Sequence, residues 1–170
     1  MEIFLQPGEI WFGDDETRIR TILGSCVAVT LWHPKRHVGG MCHYMLPMRP
    51  QVERAAYAVP DGRYGDEAIE MLIQEICAAG TRPHEYIVKL FGGGRMFPTA
   101  DPRECVPDKN VTAARALTTR HGLKVVAEHL GGQGHRHVML DTWNGKTWLK
   151  HSSLLAIDRI VSPATPSLAV

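Results

Sequence analysis

Cys26-Val27-Ala28-Val29-Thr30-Leu31-Trp32, the polar turn His33-Pro34-Lys35-Arg36-His37, and Val38-Gly39-Gly40-Met41-Cys42-His43-Tyr44-Met45-Leu46 together decide the fold. The first run is rich in β-branched and aromatic side chains, which suits a buried strand. The second run returns apolar and stops at Pro47. The pair predicts an antiparallel hairpin. With its turn centred between Pro34 and Lys35, Cys26 faces His43, and a turn shifted by one residue still leaves them near-neighbours. Facing Cβ atoms in such a pair lie roughly 4.5–5.5 Å apart.

Outward from this hairpin the chain alternates strands and helices. Short strands are expected over 3–5 and 9–12, about the Pro7-Gly8 turn. Arg18 to Leu23 alternates basic and apolar residues, as a half-exposed strand does. Residues 47–63, with three prolines, read as a surface loop. Ala68, Ile69, Leu72, Ile73 and Ile76 recur at helical spacing and predict a helix over 64–79, ended by Gly80. A strand over 86–91 runs into Gly92-Gly93-Gly94. A second helix is expected over 110–121 and a strand over 123–130, closed by Gly131-Gly132-Gln133-Gly134. Asn144-Gly145 supplies the positive φ angles of a hairpin turn between strands 137–143 and 146–151. The fold class is therefore α+β: one domain over 1–161, with a largely antiparallel sheet packed against two main helices. Residues 162–170 read as a loose tail.

Composition excludes several classes of function. The chain has 170 residues, 44% hydrophobic and 22% charged, as an ordinary folded domain does. Its 19 basic and 18 acidic residues leave a net charge of +1, which gives no reason to expect nucleic acid as a partner. No apolar run is long enough to span a bilayer, and the N-terminus does not read as a secretion signal, so the expected compartment is the cytoplasm. The four cysteines form no C-x-x-C pair and are expected as free thiols. Cys77, on the apolar side of the first helix, is expected to be a buried packing residue.

The hairpin holds the candidate chemistry. A thiol is nucleophilic only as thiolate, and a neighbouring imidazole can take its proton and return it to a leaving group. Cys26 is the candidate nucleophile and His43 the candidate base. Thr21 is placed to orient the imidazole through its hydroxyl. Gly24 and Ser25 offer a bend that leaves backbone N–H groups free for an oxyanion. Ser25 as nucleophile would need stronger base activation than a cysteine. Cys42 points to the opposite face from His43, because successive strand residues do.

These local sequences resemble the CheD family of chemoreceptor glutamine deamidases. The resemblance is carried by Thr21-Ile22-Leu23-Gly24-Ser25-Cys26-Val27-Ala28-Val29 and by Gly40-Met41-Cys42-His43-Tyr44-Met45-Leu46-Pro47. It continues through Tyr64-Gly65-Asp66-Glu67-Ala68-Ile69, Lys89-Leu90-Phe91-Gly92-Gly93-Gly94-Arg95-Met96, Asn110, and Leu130-Gly131-Gly132 with Arg136. It implies an α/β sandwich like that of deamidase toxins, with Cys26 as nucleophile, His43 as base and Thr21 as orienting residue. It also implies glutamines of methyl-accepting chemotaxis receptors as substrate, a CheC-type phosphatase as a further partner, and no metal or organic cofactor. The chain departs from the family pattern at Gly94-Arg95, at Val106-Pro107, and at His135, where the family usually has glycine. A positive φ demanded there would strain His135.

Other readings compete. Glutamyl methyl esters could yield to the same chemistry, giving weak methylesterase activity. A non-catalytic adaptor that binds the phosphatase is the main alternative, and a small-molecule amidase or thioesterase is another. His135-Arg136-His137 with Asp141 or His129 has metal-ligand character, but exposed histidines beside a glycine turn fit it better. Gly92-Gly93-Gly94 lacks the Lys-Ser/Thr of a phosphate loop and instead suits a close backbone approach. A monomer is the expected state.

Overall fold

The computed structural model describes residues 1–14, 16–56, 59–97, 105–153 and 168–169. Two five-stranded sheets face each other, and helices cover one of them. The sheet between the two other layers contains β2 (Ile10–Gly13), β5 (Val38–Tyr44), β4 (Val27–His33), β6 (Ile87–Gly92) and β7 (Val125–Leu130), in that spatial order. The outer sheet contains β1 (Glu2–Phe4), β3 (Arg18–Leu23), β8 (His135–Asp141), β9 (Lys146–Ser152) and β10 (Leu168–Ala169). The pairs β1–β3 and β6–β7 are parallel and the other pairs antiparallel. The architecture is the expected single α+β domain.

Burial explains the sequence of each strand. On the central strand β4, Val27, Val29 and Leu31 face the helices while Ala28 faces the outer sheet, so the run has no exposed face. On β3, Ile19 and Leu23 point inward beside Thr21, while Arg20 and Ile22 point out. Helix α2 (Gly65–Ala78) lays Ala68, Ile69, Leu72 and Ile76 on the sheet, as its spacing predicts. Ile69, Leu72 and Ile76 each contribute about 1.5–3 kcal/mol relative to exposure.

The structure corrects several expectations. His43 faces Ala28, not Cys26, because the β4–β5 turn holds four residues between His33 and Val38. His37 adopts a positive φ of 51°, and the His33 ring accepts from Lys35 N and Arg36 N. The register moves by two residues. Parity is kept, so Cys26 still falls on the face that carries His43, diagonally rather than directly across. The expected loop over 47–63 contains a short helix, α1 (Gln51–Ala56), which buries no residue. Helix α3 (Val106–Arg120) begins four residues earlier than expected, because Pro107 sits in its first turn, where a missing N–H costs nothing. Cys77 is exposed, one helical step of 100° away from Ile76 and off the apolar stripe. Within the expected tail, Leu168 and Ala169 pair with Leu149 and Trp148 of β9, and residues 162–167 lie outside those described.

Candidate active site

Thr21 and His43 meet between the two sheets. Both are buried, His43 only 2% exposed, and Thr21 Oγ1 lies 2.7 Å from His43 Nδ1. The same hydroxyl lies 2.9 Å from the Leu5 carbonyl oxygen. A hydroxyl has one proton, and a carbonyl can only accept. Both contacts are hydrogen bonds only if Thr21 donates to Leu5 and His43 Nδ1–H donates to Thr21. This tautomer leaves Nε2 with a bare lone pair. Among the described residues, buried Nε2 has no hydrogen-bond partner. Thr21, the residue read as orienting the imidazole, is thus the hydrogen-bond partner of His43 Nδ1.

Burial governs the charge of the pair. It pushes the His43 pKa down to about 4, against a small upward pull from Glu9, so the ring is neutral near pH 7. It pushes the Cys26 thiol up, while hydrogen bonds from its own backbone and the Ser25 side chain oppose the shift. Cys26 is half-buried at the edge of the inter-sheet layer and packs against the cluster formed by Ala28, Met41, Phe91 and Val138. In this state thiol and imidazole are both neutral, and no hydrogen bond joins them. Cys42, on the other face of β5, is fully buried among the helix-side residues, its pKa raised to about 12. The pleat separates it from His43 as expected.

The loop that carries Cys26 is held by the first glycine run. Gly94 N donates to Gly24 O at 2.9 Å, and Gly93 N donates to Cys26 O at 2.8 Å. Gly92 has a φ of 115°, and a Cβ there would lie 2.1 Å from Cys26 O. Close backbone approach, expected for this run, is what it provides. The second glycine turn lies beneath it, since Gly131 N donates to Gly92 O and Arg95 N to Gly132 O. Buried Arg136 donates from Nε to His129 Nδ1 and from Nη2 to Gly131 O. In this turn Gly134, not His135, takes the positive φ, so His135 carries no such strain. Two of the residues weighed as metal ligands are otherwise engaged: His129 accepts from Arg136, and Asp141 accepts from Arg18.

Sequence reasoning named Thr21, Cys26, His43, Gly24 and Ser25, and the structure brings them to one end of the inter-sheet layer. It assigned no role to Asn110 in the site. Fully buried Asn110 donates from Nδ2 to Ser25 O at 3.0 Å and to Met45 O at 2.8 Å. Its backbone carbonyl accepts from Tyr44 Oη at 2.6 Å. The helical position alone carried no signal for these contacts.

The family described as CheD chemotactic sensory transduction matches residues 45–151. The chain belongs to the CheD family. A protein of Pseudomonas savastanoi pv. phaseolicola, named probable chemoreceptor glutamine deamidase CheD, is 52% identical, covering 93% of this chain and 89% of its own. One of the same name from Pseudomonas syringae pv. tomato is 51% identical, over 91% of each chain. Probable chemoreceptor glutamine deamidase CheD 3 of Dechloromonas aromatica is 49% identical, over 87% of this chain and 86% of its own. The family match begins beyond Thr21, Cys26 and His43. Coverage of 93% by the first relative leaves too few residues over for its alignment to begin after Thr21. No helix among the described residues is long and apolar enough to cross a membrane.

Proposed function

We propose that this CheD protein converts glutamine side chains of chemoreceptors to glutamate, with Cys26 as nucleophile, His43 as base and Thr21 as the residue that orients the base. The names of its relatives support the substrate. The observation that carries the site is the hydrogen bond from His43 Nδ1 to Thr21, which leaves a bare Nε2 in the layer where Cys26 packs.

The neutral pair is a resting state. Catalytic hydrogen bonds are often open without substrate and tighten in the complex. His43 Nε2 takes the Cys26 proton as the glutamine docks. The thiolate adds to the carboxamide carbon, and its oxygen becomes an oxyanion held by backbone N–H groups near Ser25 and Cys26. The imidazolium protonates the nitrogen, ammonia leaves and a thioester remains. Water, activated by His43, adds to that thioester and releases glutamate and free Cys26. A glutamyl methyl ester would follow the same path with methanol as leaving group, giving weak methylesterase activity. A half-buried thiol at a strand end favours a protein substrate over a small molecule in a closed cavity. The cytoplasmic part of the receptors places the enzyme in the cytoplasm. The same reading includes a CheC-type phosphatase as partner and a monomer in solution.

The test is ammonia release from a receptor cytoplasmic fragment, with peptide masses locating the modified residue. Release that requires Cys26 and yields glutamate is expected. Conversion at an undiminished rate by the Cys26→Ala variant would remove the mechanism. A folded wild type that releases nothing from several receptors would shift weight to the adaptor reading.

A further inference from the structure

Three successive carbonyls of the nucleophile loop are each held from outside the loop. Gly24 O accepts from Gly94 N, and Cys26 O accepts from Gly93 N. Ser25 O, between them, accepts from the side chain of Asn110. In a trans peptide unit the C=O and N–H point in opposite directions. The Ser25–Cys26 unit is trans, so fixing Ser25 O also fixes where Cys26 N–H points. Of the three anchors, Asn110 alone is a side chain and so open to substitution.

We infer that Asn110 is a positioning residue that aims the Cys26 N–H as an oxyanion donor by holding the Ser25 carbonyl. The inference rests on Cys26 being the nucleophile. Asn110 is suited to the task because its amide nitrogen has two protons. The second goes to Met45 O, two residues beyond His43. One buried side chain on α3 therefore ties the loop that carries the nucleophile to the strand end that carries the base. The Tyr44 hydroxyl, donating to Asn110 O, secures the helix backbone at the same point. An aspartate of the same shape would set an ionised, acceptor-only group against two carbonyl oxygens.

The experiment compares two reactions of Cys26 in a Cys77→Ser background, which removes the exposed thiol. In acylation by p-nitrophenyl acetate, the thiolate adds to the ester carbon and an oxyanion forms. p-Nitrophenolate then leaves and an acetyl thioester remains. In alkylation by iodoacetamide, the thiolate displaces iodide from a saturated carbon and no oxyanion forms. The ratio of the two rates cancels the thiolate fraction. For Asn110→Ala, acylation should fall at least about tenfold, a modest share of the 10²–10³ typical of losing an oxyanion donor outright, with alkylation within about threefold. Asn110→Asp should show the same fall near pH 8 and recover part of the ratio on acidification, as a protonated carboxyl can donate again. Ratios within about twofold of the parent in both variants would overturn the inference, as would equal losses in the two reactions. Should Asn110→Ala fail to fold, Asn110→Asp carries the same comparison. On a receptor fragment the variants should lose kcat with KM unchanged. A parent protein that releases no ammonia would defeat the deamidase reading, while the acylation ratio still decides the role of Asn110.

Discussion

The two faces of the middle sheet bury different things. Toward the helices, Val27, Val29, Leu31, Cys42 and Tyr44 pack on Ala68, Ile69, Leu72 and Ile76. Toward the outer sheet, Ala28, Met41 and Phe91 pack on Ile19, Leu23, Val138 and Leu140, and the layer ends in Thr21, His43 and Cys26. Adjacent residues of β5 show the contrast most sharply. Burial drives Cys42 and His43 alike toward their neutral forms, one up to about 12 and the other down to about 4. Cys42 is left among apolar side chains. His43 is given Thr21 at one nitrogen and keeps the other bare. Burial sets the protonation state on both faces, but only on one does a polar partner fix the tautomer and leave a ring nitrogen bare.

Substitutions on the two faces should therefore separate chemistry from packing. Cys26→Ala should reduce deamidation of a receptor fragment to background. Its unfolding free energy should stay within about 1 kcal/mol of wild type, since the side chain is half-buried. His43→Gln should slow kcat by about 10²–10⁴, the range for losing a positioned general base, measured as initial rates of ammonia release. On the helix side, Leu72→Ala should cost about 2–5 kcal/mol in urea unfolding, with the folded enzyme keeping its kcat. A fall in kcat comparable to that of His43→Gln would blur the distinction between the faces. Thr21→Val keeps the shape and removes the hydroxyl. It should lower kcat about tenfold, because His43 loses the partner that fixes its tautomer. Nitrogen chemical shifts of His43 would show the proton no longer confined to Nδ1.

The two faces should also differ in pH dependence. The folded pKa of His43 lies below its unfolded value, so the unfolded chain binds more protons between about pH 6.5 and 4. Its contribution to stability is intact above that window and falls as pH drops through it, by at most about 1.4 kcal/mol per pH unit. Cys42 acts in the opposite sense. Its folded pKa of about 12 exceeds the ordinary thiol value of 9.0, so stability is lost as pH rises above about 9. Urea midpoints across pH should show the acid slope flattened in His43→Gln and the alkaline slope reduced in Cys42→Ala. Unchanged slopes in both would contradict the assignment of burial as the cause.

Much of this was legible in the sequence, and the exceptions have physical reasons. Period-two alternation placed β3 to the residue, and Asn144-Gly145 marked the β8–β9 turn. The β4–β5 register was misjudged by two residues because a non-glycine, His37, takes the positive φ that lengthens the turn. Helix α1 has no buried face, so it left no apolar pattern to read. The start of α3 was expected at 110 rather than 106, and Pro107 occupies the one helical turn that tolerates proline. His43 was named because the hairpin brings it near Cys26, and Thr21 because it lies just upstream of Cys26 and the CheD resemblance carries it over. Asn110 was not, because it reaches Ser25 and Met45 from a different layer, across a chain separation that no local spacing encodes.

The central claim is that Cys26 attacks a receptor glutamine and passes through a thioester. The most direct measurement is an acid quench early in the reaction with a receptor fragment, followed by intact and peptide mass analysis. The prediction is a covalent adduct on Cys26 with the mass of the fragment less one ammonia, labile to hydroxylamine and undetectable in Cys26→Ala. Steady conversion of glutamine to glutamate by Cys26→Ala, or an adduct mapping to Ser25, would contradict it.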